Sequence, residues 1–316
     1  MAPPPSLVGT ADASSFLDSA PVSAPKLATV VPDNVLKGIG LVVASTLFFS
    51  AGDVVAKIMT ASLPALEVTW FRYLVFAVLI VPVAFAANGR RALATGRPGL
   101  QISRAVAVVA SSVLFILGLQ YLQPAEATAI NFISPLFITA LSIPLLGEKV
   151  GLHRGAAAGV GFLGVMLLVR PGSDAFQMAA LYPIGTAVVW AAAAIATRMM
   201  SAERPETTLA WTALVGFVGL TLAIAFVWRT PNLAEIGLGV LTGLFSTAGH
   251  WFVVKAYRLA PASVLAPFSY VQLVFAGVMG FVVFDVVPGP WTFAGGLVIA
   301  ASGLYTARRE STAARA

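Results

Sequence analysis

KIMTASLPALEVTWFRYL (57–74) and RMMSAERPETTLAWTALV (198–215) are two versions of one segment. Lys57, Pro64 and Trp70 of the first return as Arg198, Pro205 and Trp211 in the second, each 141 positions further on. In both, an apolar run ends at a basic residue, a short connection follows, and Pro opens the next apolar run. The match continues downstream with a small change of register. Tyr121 pairs with Tyr257 136 positions on, and Pro124, Ala125, Glu148 and Gly159 pair with Pro261, Ala262, Asp285 and Gly296 137 positions on. Ordered anchors that include Trp, Pro and charge distinguish an internal repeat from a chance likeness between Ala-rich helices.

Around these segments lie ten apolar runs, expected as helices at 38–59, 66–87, 100–120, 125–146, 152–169, 178–198, 207–228, 235–256, 262–284 and 290–307. At about 1.5 Å per residue most could cross a hydrocarbon core of roughly 30 Å. The runs divide into two sets of five. Five is odd, so a second copy crosses the membrane in the opposite sense. The expected fold is therefore an all-α integral membrane protein of ten transmembrane helices in two inverted five-helix repeats, 36–170 and 171–307. Residues 1–35 read as a disordered cytoplasmic tail and 308–316 as a cytoplasmic C-terminal tail. Inverted repeats of this kind place a solute site near the bilayer midplane, where the repeats meet.

Composition agrees with that class. Charged residues are 10% of the chain and hydrophobic residues 59%, whereas roughly 25% of a soluble domain is charged. The net charge of +6 sits between apolar runs, as topology determinants do, and is not a nucleic-acid footprint. With no Cys and two His, no disulfide or thiolate site is possible and no metal site or other cofactor is expected. One side of the membrane collects Lys26, Lys37, Arg90, Arg91, Arg97, Arg104, Lys149, Arg154, Arg198, Arg204, Lys255, Arg258, Arg308, Arg309 and Arg315; the other has Lys57, Arg72, Arg170 and Arg229. By the positive-inside rule both termini are cytoplasmic in a bacterial-type inner membrane, as an even number of crossings also requires.

The stretch GLQYLQPAEATAINFISPLFITALSIPLLGEKVG (118–151) resembles the fourth-helix region of EamA-type permeases of the drug/metabolite transporter superfamily. GHWFVVKAYRLAPASVLAPFSYVQLVFAGVMGF (249–281) is similar to its counterpart in the second repeat, and with the helix pattern the resemblance spans about 36–307. It implies a permease that moves small organic metabolites by alternating access, often amino acids or their derivatives and frequently outward. Import of a vitamin or nucleoside-like solute is the alternative. An integral-membrane enzyme would need paired acidic ligands or a His-centred motif, and a channel a repeated polar filter; neither pattern is present. The expected partners are the solute and membrane lipids, and a self-contained pair of repeats is expected to work as a monomer.

Polar residues that break the repeat are the candidate site. Asp53 lies about 9 Å from the outer end of the first helix by helical rise, where a charge costs about 2.5–3.5 kcal/mol on insertion scales. Lys57 shares its face, and Arg72 on the second helix sits at similar depth. The aligned positions are Ala194, Arg198 and Ala213, so Asp53 and Arg72 have no polar twins. They either meet solute and open during gating or form a static pair; Lys57 either joins them or snorkels outward. His250 could take part in proton coupling or bond a neighbouring helix carbonyl. Pro135 and Pro267 interrupt matching helices, a pointer to a transport site, and Asn131, Tyr270 and Gln272 lie beside them. Trp190 and Phe49 are aligned aromatics that either flank a solute or pack. Glu126 is either an outer gate or a helix cap. Glu148 and Asp285 read as caps before the fifth and tenth helices, and Gly155, Gly159, Gly239, Gly243 and Gly296 as close-packing positions.

Overall fold

The computed structural model describes residues 32–147, 152–170, 178–200, 202–260 and 262–313. The expected N-terminal tail up to residue 31, Glu148 and the last three residues lie outside the described residues. Twelve α-helices run in chain order: α1 Pro32–Met59, α2 Ala65–Asn88, α3 Pro98–Tyr121, α4 Pro124–Asn131, α5 Ser134–Leu146, α6 Leu152–Val169, α7 Leu181–Met199, α8 Pro205–Ile224, α9 Leu233–Leu259, α10 Ala262–Ser269, α11 Val271–Phe284 and α12 Pro290–Ala313. There is no strand among the described residues. Seven helices are long and apolar enough to cross a membrane, and two shorter apolar ones, 155–169 and 271–284, accompany them.

Local sequence sets the ends. α3, α4 and α8 each open with Pro in the first turn, where its missing N–H breaks no helical bond. Asn232 and Glu235 form a reciprocal capping box at the start of α9, with bonds of 2.9 and 2.8 Å. α5 ends at Gly147 with φ 68° and α11 at Asp285 with φ 54°. These left-handed caps are twins. Asp285 therefore closes the helix before it, matching Gly147, and does not cap the next helix as its alignment with Glu148 suggested.

Two helices expected to be continuous are broken. Residues 125–146 divide into α4 and α5 at Phe132 and Ile133, and 262–284 into α10 and α11 at Tyr270. Pro135 cannot donate to Asn131 O one turn back; the Ser134 hydroxyl does so instead, at 2.7 Å. Half-helices thus occupy matching places in the two halves of the chain. The packing is also paired. α1 lies on α9 and α3 on α7; α2 on α9 and α3 on α8; α1 on α11 and α5 on α7; α2 on α8, α4 on α11 and α6 on α12 close the set. Exchanging each helix of one half for its counterpart turns the first three sets into themselves and returns α2 on α8 and α6 on α12 unchanged, while α4 on α11 stands without such a counterpart.

Glycines permit the tightest crossings. A Cβ at Gly243 would lie 2.5 Å from Val75 Cβ, one at Gly239 2.5 Å from the Phe71 ring, and one at Gly216 would enter the Tyr73 ring. Between α6 and α12, the close approach is at Gly164 and Gly295, whose added Cβ atoms would sit 3.0 and 2.6 Å from the other's carbonyl oxygen. Gly155 and Gly159, expected to mark this contact, face open space, and Gly296 meets only Leu273 at an ordinary 3.8 Å. Gly243→Leu should lower stability by about 1–3 kcal/mol through overpacking, while Gly159→Ala should be neutral or slightly stabilising. Thermal unfolding of both variants in detergent checks the contrast.

Candidate functional site

Side chains of α1, α2 and α3 from the first half and of α7, α8 and α9 from the second converge. Between them lies a cavity of about 140 Å³. Phe49, Arg72, Phe76 and Arg104 line it from the first half of the chain, and Trp190, Thr212 and His250 from the second. Its floor and walls also carry Ser111, Ser112 and Ser246.

Arg72 Nη2 donates to Asp53 Oδ1 at 2.9 Å. Both side chains are buried, at 11% and 8% exposure, which makes the contact a desolvated ion pair rather than a surface one. Arg72 Nε is buried without an acceptor, so the guanidinium is only partly satisfied. Lys57 does not join this pair. Its Nζ donates to Leu119 O at 2.8 Å, satisfying a carbonyl in the last turn of α3 rather than reaching outward along the surface. Glu126 accepts from the Gln123 backbone N–H at 3.1 Å and so serves as a cap of α4.

His250 Nδ1 bonds Ser246 O one turn earlier in its own helix, at 2.8 Å. Its ring sits edge-on to Phe49, centroids 5.0 Å apart, and 5.5 Å from Phe76. Trp190 faces the same cavity from α7. Asp53, Arg72, Trp190 and His250 are therefore gathered around one centre. Asn131, Tyr270 and Gln272 are not. Asn131 ends α4 with its Oδ1 buried and unpartnered. The Tyr270 ring packs tilted against Phe132, centroids 4.8 Å apart, across the two helix breaks. It also edges a separate apolar groove of about 520 Å³ formed with Val274, Phe281, Phe293 and Leu297. The Gln272 carbonyl receives Ser50 Oγ at 3.3 Å, tying α11 to α1.

Arg104 is the residue that sequence reading misplaced. It was grouped with loop cations, yet it lies inside α3, about 9 Å from the helix start by rise. Its Nε donates to Thr197 Oγ1 at 3.1 Å and its Nη1 to Thr212 Oγ1. Those hydroxyls give their own protons to Ala193 O and Thr208 O, at 2.8 and 2.7 Å. Their lone pairs are thereby turned toward Arg104. The signal was available: residue 104 falls within the expected third helix, and its counterpart 136 positions on is Val240, a break in symmetry of the kind that singled out Arg72.

Contacts join the two halves at both ends of the bundle. At the basic end, Glu203 accepts from Thr95 Oγ1 at 2.8 Å and Gly96 N–H at 3.0 Å. Arg97 donates to Met199 O, and Trp211 Nε1 to Leu93 O at 3.2 Å. At the opposite end, Ser62 donates to Glu235 at 2.6 Å, the Arg229 N–H to the fully buried Glu67 at 3.2 Å, and Trp70 Nε1 to Thr221 Oγ1 at 2.8 Å. None of Glu67, Glu203 and Glu235 stood out in the sequence, because each lies at the end of an apolar run where an acid reads as a first-turn or loop residue.

Apolar helices of spanning length around a small polar cavity define a multi-pass membrane protein. The chain belongs to the EamA-like transporter family, whose model matches residues 36–170 and 177–307; it is a transporter and not an enzyme. Similar proteins include a riboflavin transporter of Rhizobium johnstonii, 30% identical over 285 residues that make up 89% of this chain and 94% of that one. An S-adenosylmethionine uptake transporter of Rickettsia felis is 28% identical over 88% of this chain and 95% of its own. A pseudopaline exporter of Pseudomonas aeruginosa is 26% identical over 89% and 99%. The family moves small metabolites in this sample, with both directions represented by name.

Removing one partner of a buried pair leaves an uncompensated charge. Asp53→Asn should therefore cost about 3–5 kcal/mol, while Asp53→Asn combined with Arg72→Met should recover much of that loss. A double-mutant cycle on unfolding in detergent checks the coupling; additive losses would show that the pair does not stabilise the bundle.

Proposed function

We propose that this protein is a secondary transporter of a small ring-bearing organic metabolite, working by alternating access. The observation that carries this reading is the composition of the cavity. It is built from both halves of the chain, lies at their crossing, and combines aromatic faces with a few fixed polar groups. That is the usual make-up of a small-molecule site.

The mutually exchangeable helix pairs support ten crossings in two inverted repeats, 36–170 and 171–307. The broken helices at α4–α5 and α10–α11 support it too, since discontinuous helices in matching positions accompany midplane sites. On this topology the basic end, with both termini, faces the cytoplasm of a bacterial-type inner membrane, and a monomer contains the whole site. Rocking of one half on the other releases the contacts at one end while those at the other hold.

The aromatic lining favours a vitamin or nucleoside-like solute over an aliphatic amino acid, and the relatives named for riboflavin and S-adenosylmethionine lend it support. Direction of transport follows from neither the cavity nor the relatives' names. Purified protein in proteoliposomes, loaded with each member of a panel of vitamins, nucleoside-like metabolites and amino acids, should show counterflow with a ring-bearing member. Trp190→Ala should weaken that solute's apparent affinity about tenfold, the loss of roughly 1.5 kcal/mol of aromatic contact. A folded protein that shows no counterflow with any member would remove the carrier reading.

His250 is the coupling group we propose, because it lines the cavity and its protonation would change the site's charge. His250→Gln should abolish the response of uptake to an imposed pH gradient while sparing counterflow, which needs no gradient. An unchanged gradient response would exclude His250.

A further inference from the structure

The cavity contains more positive charge than the protein neutralises. Arg72 is matched by Asp53. Arg104 is held only by the hydroxyls of Thr197 and Thr212, and it has no carboxylate partner among the described residues. Two of its nitrogens are spent on these neutral acceptors. Nη2 has no acceptor among the described residues, and Arg104 lines the cavity. A guanidinium stays protonated at any physiological pH, and a half-buried one bonded only to neutral hydroxyls gains most from a charged acceptor.

Size narrows the ligand further. The cavity is about 140 Å³, close to the ~150 Å³ of an engineered apolar cavity that holds one benzene. It therefore takes about one six-membered ring and one substituent. Phe49, Phe76 and Trp190 supply the apolar and aromatic faces such a ring would occupy. A cationic substituent has nothing to meet, because the lining contains no carboxylate and the nearby Asp53 is engaged by Arg72.

We infer that the cavity is a receptor for a monoanionic, single-ring aromatic or heteroaromatic acid, its carboxylate on Arg104 and its ring between Phe49 and Trp190. This rests on the reading of the cavity as the solute site and adds the charge and size of the solute. It separates this chain from carriers of cations. A charge-assisted hydrogen bond from the free Nη2 to a carboxylate is roughly twice as strong as one to a neutral oxygen.

The test compares an acid with its neutral amide of the same shape. Calorimetric titration of the purified full chain in detergent at pH 7 with nicotinate and nicotinamide should show the acid bound at least tenfold more tightly. Arg104→Gln should erase that preference by weakening nicotinate and leaving nicotinamide unchanged; Arg104→Lys, which keeps the charge, should restore part of it. Equal binding of acid and amide by the native protein overturns the assignment, as does an acid preference that survives Arg104→Gln. If Arg104→Gln does not fold, the native ratio and the Lys variant decide. Binding of neither probe also overturns it. Counterflow of some other panel member would then leave the carrier reading standing, whereas absence of all counterflow would remove both.

Discussion

A guanidinium buried among apolar helices must be met by a counter-charge, and the 2.9 Å contact between Arg72 and Asp53 meets it. Gly52, immediately before Asp53, has Phe245 Cβ 3.4 Å and Arg72 Nη2 3.6 Å from where a Cβ would stand. Its carbonyl accepts from Thr242 Oγ1 of α9 at 2.9 Å. Three helices thus meet at Gly52–Asp53, and the cavity opens beside them. An added methyl at 52 would meet these neighbours at ordinary contact distance, so what ties the three helices here is the ion pair and the Thr242 bond.

The proposed inverted repeat gives the end contacts a common origin. Trp70 and Trp211 occupy matching sequence positions, yet their indole N–H groups bond across the two halves at opposite ends of the bundle. Equivalent short connections lie beside them, with Glu235 accepting from Ser62 at one end and Glu203 from Thr95 at the other. A single bond of this kind is worth about 1 kcal/mol net, or more where a carboxylate accepts. A few such bonds join the two halves at each end without locking them.

The sequence made the scaffold legible and the chemistry only partly so. Trp, Pro and charge at fixed spacing exposed the repeat because those residues mark helix ends, and helix ends are where apolar sequences still differ. Symmetry breaks at Asp53, Arg72 and His250 led to the cavity because a charge or imidazole in an apolar run needs a local reason. Arg104 escaped because a basic residue near a helix end has a ready explanation in topology. Asn131, Tyr270 and Gln272 were drawn in by their neighbouring prolines, but those prolines act on the helix breaks, away from the central cavity. Gly155 and Gly159 carried the right spacing on the wrong face. The breaks themselves at Phe132 and Tyr270 have no Gly and no strong stop; Pro135 and Pro267 were the available signals, and neither sits at the break itself.

The width of the cavity is set by pinned aromatics. Phe49 lies against Gly249, where an added Cβ would be 2.7 Å from its ring, and Tyr73 fills the notch at Gly216. The notches fit rings that stay where they are, since a packed interior forfeits contact energy when a neighbour withdraws. A solute as large as riboflavin, with three fused rings and a polyol arm, exceeds about 140 Å³. Rotating one side chain would not admit it. Separating α1 from α9, or α2 from α8, would widen the cavity by drawing each ring out of its notch, and those pairs are also ones that join the two halves. In the mechanism proposed above, solute size and the rocking of the halves are linked through the same glycines. A residue larger than glycine at 216 or 249 would change the cavity's shape by displacing Tyr73 or Phe49 into it, well before it changed any group that touches the solute's charge.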